Sequence, residues 1–424
     1  MRFKITVVAL LLGSASAALA QDKKPDFVFA LHGFVSGSLF VQDGNLSPSE
    51  GQQSLFVLAP TATVGAPKTD KTVLSGDIRQ TRLNFSLSGP AVFAGATPKA
   101  VAEFDFFGGF GSGNYGDVSL TPRVRVAYAE LNWGANRVTV GQNNDLTVAM
   151  LPVSLSHIAF PFSGDAGTIG WRRPGFFGFH TLGDTAGSKV EFAWELGRAN
   201  WADSGANAAA AVGNGIGQNT IGVGGDKFGF GMGEASSIPA VQARLMASGA
   251  SYMVWAAGHY SRVDRTGVDV NSPPAGVVAG SDLSVVAGNA GARFVIGPLT
   301  VAGTAFAGKN LGPLAASFLQ FNAAAAGDVH EWGGWAQAGF NFTKELSLWG
   351  FIGAEKPNVN EAIAAGFTRL QQVVGSGLLQ YRDGGYAIGL EYVHFQTRVR
   401  GGAAAALQGE LKANQYFLTG NYYF

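Results

Sequence analysis

Apolar and polar residues alternate one by one along most of this chain, the spacing of strands that face two different environments. From Ile78 to Ser88, residues Thr81, Leu83, Phe85 and Leu87 share one face, and Gln80, Arg82, Asn84, Ser86 and Ser88 share the other. Ala102, Phe104 and Phe106 alternate with Glu103 and Asp105, and Val190, Phe192, Trp194 and Leu196 alternate with Lys189, Glu191 and Glu195. In the first such segment Leu31, Val35 and Leu39 oppose His32, Ser36 and Ser38, while Phe34 and Phe40 interrupt the polar side. A helix would instead repeat its apolar positions every three or four residues.

The pattern predicts about sixteen strands. They fall near 27–41, 76–89, 98–110, 121–133, 136–146, 167–180, 188–201, 237–249, 251–263, 281–296, 299–309, 330–342, 345–356, 368–381, 385–399 and 411–424. Connections between them alternate in length. Short ones lie at Gly89-Pro90, Trp133 to Asn136, Leu182 to Gly187, Ser248 to Ala250, Gly297-Pro298, Thr343-Lys344 and Arg382 to Gly385. Long ones run near 42–75, 108–120, 147–166, 202–236, 264–280, 310–329, 357–367 and 400–410. This rhythm predicts an all-β fold, a transmembrane antiparallel up-and-down β-barrel with short periplasmic turns and long external loops.

Composition narrows the picture. Charged residues make up only 14% of the chain, Gly numbers 61 and Cys is absent, so disulfides contribute nothing. Lys and Arg total 29, as do Asp and Glu, which gives no basic surface for nucleic acid. After the first residues no apolar run approaches the length of a membrane-spanning helix, so spanning falls to strands. Residues 1–20 read as a secretory signal: Arg2 and Lys4 precede the apolar stretch Ile5 to Leu12, and Ala18-Leu19-Ala20 forms a small-residue cleavage site. The barrel domain is then expected over 21–424.

At the C-terminus Tyr416, Leu418, Gly420, Tyr422 and Phe424 occupy alternate positions. This resembles the terminal signature of outer-membrane proteins, which implies delivery through the barrel-assembly machinery and contact with outer-membrane lipid and lipopolysaccharide. Trp133, Trp194, Tyr252, Tyr386, Tyr392, Tyr416 and Tyr422 are candidates for aromatic girdles. An ordered series of segments is similar to the trimeric porins, and within them to the dicarboxylate-type, DcaP-like porins. It comprises HGFVSGSLF (32–40), DIRQTRLNFSL (77–87), AEFDFFGG (102–109), RVRVAYAELNW (123–133), RVTVGQ (137–142), AFAGKNL (305–311) and WAQAGF (335–340). Members with a periplasmic coiled coil carry a long helical segment ahead of the barrel; here only Gln21 to Asp26 precede the first strand. The resemblance implies a homotrimer of water-filled channels for small hydrophilic solutes, dicarboxylates among them, with an inward-folded third loop over 142–168.

That loop carries Asp145, His157 and Asp165. The polar faces of the strands place Arg82, Glu103, Asp105, Arg123, Arg125 and Arg172 inward, with Arg244 and Arg293 nearer the periplasmic end. A ring of arginines favours anions. The same arginines alternatively pair with Glu103 and Asp105 and only brace the wall. Rival functions find thin support. His32 and Ser36 share a face, as a barrel lipid hydrolase would need, but no G-x-S-x-G elbow is present. His330-Glu331 lacks the second His of a zincin, so neither a metal nor another cofactor is expected. A hydrophobic-substrate transporter would need an N-terminal plug, for which 21–26 is too short.

Overall fold

The computed structural model describes residues 26–47, 51–57, 72–108, 120–185, 187–199, 233, 236–264, 282–317, 320, 327–400 and 408–424. The expected signal segment and most of the expected loops 202–236 and 264–280 lie outside the described residues.

Strands β1 (Val28–Gln42), β4 (Val73–Asp77), β5 (Arg82–Ser88), β6 (Thr97–Asp105), β7 (Arg123–Asn132), β8 (Asn136–Asn144), β9 (Arg172–Thr185) and β10 (Ser188–Gly197) form the first half of one sheet. The second half comprises β11 (Ala240–Gly249), β12 (Tyr252–Val263), β13 (Leu283–Ile296), β14 (Leu299–Lys309), β15 (His330–Asn341), β16 (Leu346–Pro357), β17 (Arg369–Asp383), β18 (Tyr386–Arg400) and β19 (Gln408–Tyr423). A small hairpin, β2 (Leu46–Ser47) with β3 (Phe56–Val57), lies between β1 and β4. Each barrel strand pairs antiparallel with its neighbours, and β19 returns to β1 in the register Phe34↔Tyr423 to Gln42↔Gln415. Reciprocal bonds between Gly33 and Phe424, each 3.1 Å, complete the seam. Closure leaves no unpaired edge, which is what a bilayer demands of a sheet.

Both β4 and β5 pair with β1, on successive stretches of it, so they are one strand broken at Ile78–Thr81 and the barrel has sixteen. The sequence pattern runs straight through this break because side-chain alternation resumes beyond it. The break has a use: it turns the Gln80 side chain into the barrel, where it bonds Ser36 Oγ (2.7 Å) and Leu155 O (2.6 Å).

Outward faces are apolar and exposed. Leu39, Leu390 and Leu418 lie between two tilted tyrosine pairs, Tyr386–Tyr422 at 4.5 Å and Tyr392–Tyr416 at 5.0 Å between ring centroids. Tyr416, Leu418, Tyr422 and Phe424 all point outward from the closing strand. Trp133 is exposed as well, whereas Trp194 lies over Gly178 and bonds His180, and Tyr252 bonds Ser188.

The inward face departs from a uniformly wet lumen. Along β12 to β19 it carries buried Trp335, Phe351, Val374, Val393, Phe395 and Phe417. Those side chains stay dry because three external loops fold inward over them. Here L1 joins β1 to β4, L3 joins β8 to β9 and L6 joins β14 to β15. Leu46 and Val57 of L1 and Phe162 and Ala166 of L3 share one cluster with Trp335, Phe351, Val374, Val393 and Phe395. Leu311, Leu314 and Ala316 of L6 pack with Val285, Phe306 and Ile169. The apolar run Leu55-Phe56-Val57 was the visible hint that L1 turns inward. Between β16 and β17, where the sequence suggested only loop, a short helix α1 (Val359–Ala364) is capped by the Asn358 side chain.

Candidate functional site

Away from the side that the loops fill, a cluster of ionisable groups lies along β5 to β9. Strand register sets Asn84 opposite Glu103. Between Glu103 and Phe104 the pairing with β7 slips by one residue, and the neighbours Arg125 and Val126 are both buried as a result, while Val124 stays exposed. Such a bulge re-aims side chains. Here Arg123 and Arg125 converge on Asp105, and Arg125 reaches Glu103 as well.

Arg123 holds Asp105 through two bonds, Nε to Oδ1 at 2.9 Å and Nη2 to Oδ2 at 2.6 Å. Arg125 bridges the acids, with Nε on Glu103 Oε1 at 2.7 Å and Nη1 on Asp105 Oδ2 at 2.8 Å. Arg82 Nε stands 3.6 Å from Glu103 Oε1. Arg172 Cζ stands over the Trp171 ring, 4.3 Å from its centroid, and no carboxylate or carbonyl among the described residues bonds its guanidinium. Four guanidinium groups therefore meet two carboxylates, and the cluster carries two positive charges in excess. Both sequence readings of these arginines describe part of it: three brace the wall through Glu103 and Asp105, and one does not.

The remaining two arginines lie apart from this cluster. Arg244 is 3.6 Å from Glu191 and donates to Leu146 O at the root of L3, while Arg293 is exposed on β13 near the turn to β14.

L3 is fastened to the wall along its length. At its root the Asp145 carboxylate takes two bonds from Arg173, Nε at 2.6 Å and Nη2 at 2.9 Å, and a third from Trp171 N at 2.9 Å. Glu195 Oε1 is 3.3 Å from the same Arg173 Nε, and the side chains of all three residues are fully buried. Farther along, Gln337 exchanges two bonds with the Val153 backbone, at 2.7 and 2.8 Å. Glu391 Oε2 collects donors from Ser154 Oγ, Leu155 N, Ser156 N and Ser156 Oγ, at 2.7–3.1 Å. The returning limb is bonded by Thr304 Oγ1 to Gly167 O at 3.0 Å, and Trp335 Nε1 donates to Thr168 Oγ1 at 3.1 Å. Gly167 sits at φ 113°, and a Cβ there would fall 2.3 Å from the Gly334 carbonyl carbon, so only glycine permits this approach.

The three L3 residues singled out from the sequence are all buried. Asp145 is the root of the loop. His157 stands edge-on to Phe162 and Phe417 with Nδ1 2.8 Å from Ser156 Oγ, and burial pushes its imidazole down to about 3, so it is neutral. Asp165 sits at φ 54° within reach of Arg369 and Glu331, and burial pushes its carboxyl up to about 7. What L3 exposes toward the open side is apolar: Leu151 and Val153, 39% and 37% exposed. Beside them a polar cavity of ≈ 220 Å³ is lined by Tyr128, Glu130, Arg137, Asn144, Val148 and Arg244, among others. The fastening residues Gln80, Gln337 and Glu391 escaped sequence reasoning. An inward Gln or Glu in an otherwise apolar strand is their only mark.

The rival chemistry finds no geometry. Ser36 Oγ is buried and takes its bond from Gln80, while His32 is exposed. His330 is exposed and its imidazole lies beside Glu361, whereas the next residue, Glu331, is buried and bonds Ser317, so neighbouring residues serve opposite faces. Among the described residues no group of His, Cys, Asp or Glu is arranged to hold a metal.

No family model and no curated protein matches the sequence. Solved structures do match. The fold is that of the outer-membrane porins, and its apolar exterior suits a bilayer. The outer membrane channel DcaP of Acinetobacter baumannii superposes with a TM-score of 0.65 at 17% identity, covering 96% of this chain and 100% of that one. The anion-selective porin from Comamonas acidovorans gives 0.54 at 11% identity over 94% and 100%. The trimer form of in-vitro folded OmpT from Vibrio cholerae gives 0.50 at 11% over 94% and 99%. At these identities the likeness is one of fold.

Proposed function

We propose that this protein is a passive diffusion channel for small hydrophilic solutes that prefers anions, dicarboxylates included, and that it works as a homotrimer in contact with lipid and lipopolysaccharide. The observation that carries this reading is the charge imbalance of the lumen wall. Among the described residues Arg82, Arg123, Arg125 and Arg172 gather around Glu103 and Asp105, and both acids of L3 are withdrawn from the passage, Asp145 in its bonds with Arg173 and Asp165 by burial. Fixed positive charge in a narrow, low-dielectric passage lowers the barrier for anions and raises it for cations. Arg244 and Arg293 extend that bias toward the periplasmic mouth. The anion selectivity of the Comamonas acidovorans porin and the trimer form of Vibrio cholerae OmpT are in keeping with it. The conducting path runs between the arginine wall and the exposed edge of L3 at Leu151 and Val153, and continues through the polar cavity beside Arg137 and Arg244.

The test is the zero-current potential of single channels in a potassium chloride gradient. Chloride is expected to carry the larger share of current, and Arg82→Gln combined with Arg125→Gln to move the potential toward the neutral value. A wild-type channel that prefers potassium rejects the reading.

A further inference from the structure

Arg172 differs from the other arginines of the cluster. Arg123 and Arg125 are bonded to carboxylates and Arg82 lies beside one, whereas Arg172 has no such partner among the described residues. It is nonetheless only 7% exposed, and the charges that act on it are those of Arg125 and Arg123, then Asp105, which partly offsets them, and Arg82. A cation crowded by cations is costly, and with no protein acceptor among the described residues its donors are left to solvent or to an arriving anion. Contact with the Trp171 ring holds the guanidinium in place, which readies its fork for a carboxylate.

The space in front of Arg172 is not polar. It is a narrow recess of ≈ 50 Å³ whose walls include Val148, Leu151, Ala159, Phe160 and Trp171, with Arg125 at the side. Asp165 also borders it, but its carboxyl lies buried within reach of Arg369, which offsets its charge when it ionises.

We propose that Arg172 and this apolar recess form a subsite for organic monoanions, in which one carboxylate docks on the guanidinium and an apolar body, aromatic or aliphatic, lies against Leu151, Val148 and Phe160. The proposal rests on the anion-channel reading and narrows it. A second carboxylate would have to lie against the apolar wall without a partner, which penalises dicarboxylates at this position. A short anion such as acetate gains the charge contact but not the apolar one.

The experiment records single-channel currents of the folded full-length mature protein in planar bilayers while sodium benzoate, hexanoate, acetate or succinate is added at equal charge. Benzoate and hexanoate are expected to interrupt the current at concentrations about tenfold lower than acetate or succinate. Arg172→Gln weakens the benzoate effect by about tenfold or more. Leu151→Ser, at an exposed position that the fold tolerates, weakens benzoate and hexanoate while acetate is little changed. Four anions acting alike on the wild type, or benzoate acting equally on wild type and Leu151→Ser, overturns the subsite even if the channel proves anion-selective. A cation preference in the salt gradient instead overturns the underlying channel reading, and the subsite with it.

Discussion

Arg173→Met is expected to destabilise the barrel by about 3–5 kcal/mol and to make the open channel unsteady. Among the described residues Arg173 is the only cation bonded to Asp145, and it also reaches Glu195 and donates to Arg198 O at 2.8 Å. Removing it leaves two carboxylates in a fully buried place. Repulsion between them is relieved only by protonation or by pulling the root of L3 away from β9 and β10. Because L3 narrows the lumen, release of its root should appear as larger, fluctuating conductance as well as a lower denaturation midpoint in urea. Asp145→Asn, which keeps the shape and removes one charge, should cost less. A variant Arg173→Met with wild-type midpoint and quiet current would mean that this triad does not hold the loop.

Acid should loosen the middle of the same loop. The His157 imidazole is depressed from its ordinary 6.5 to about 3 by burial, with Phe162, Phe395, Phe417 and Ser156 around it and Glu391 one hydroxyl away. A depressed imidazole is neutral when folded, so its contribution is intact above pH 6.5 and falls away as the pH drops from there toward 3. At about 1.4 kcal/mol per pH unit, the limit is roughly 4–5 kcal/mol. Asp165 runs the other way. Its carboxyl is raised to about 7, so attachment of the returning limb is firmest in acid and weakens as pH rises through 7. Current noise is therefore expected to grow between pH 6 and pH 4 in the wild type and to stay low in His157→Gln. Equal acid sensitivity of the two proteins would assign the effect to other groups.

The strands were legible because their alternation is a direct imprint of lipid outside and lumen inside. β14 is found at the predicted Leu299–Lys309, and β15 and β16 differ by a residue at an end. Reasoning from alternation failed where loops change what a strand faces. Phe34 and Phe40 look like faults in a polar face, yet Phe40 packs on Phe417 inside the barrel and Gly51 of L1 comes close to its ring. Composition cannot reveal that L1, L3 and L6 cover half the lumen, since this depends on contacts far apart in sequence, such as Val57 N to Thr397 Oγ1 at 2.9 Å. The arginine cluster was legible residue by residue, but not its pairing. Arg172 and Arg173 are neighbours of one type, and only three-dimensional placement gives Arg173 two acids and Arg172 none. Likewise the sequence does not show that both acids of L3 are buried, Asp145 in its bonds with Arg173 and Asp165 with a carboxyl that takes no hydrogen bond from the described residues.

The chain contains no cysteine, so a single introduced thiol reports one place. Leu151→Cys puts that thiol on the edge of L3 that faces the arginine wall. Treating open channels in a bilayer with a bulky, water-soluble thiol reagent should cut the current in one step per subunit and leave the wild type untouched. Modification that goes to completion, verified by mass, yet leaves conductance unchanged would mean that ions do not pass between L3 and the arginines.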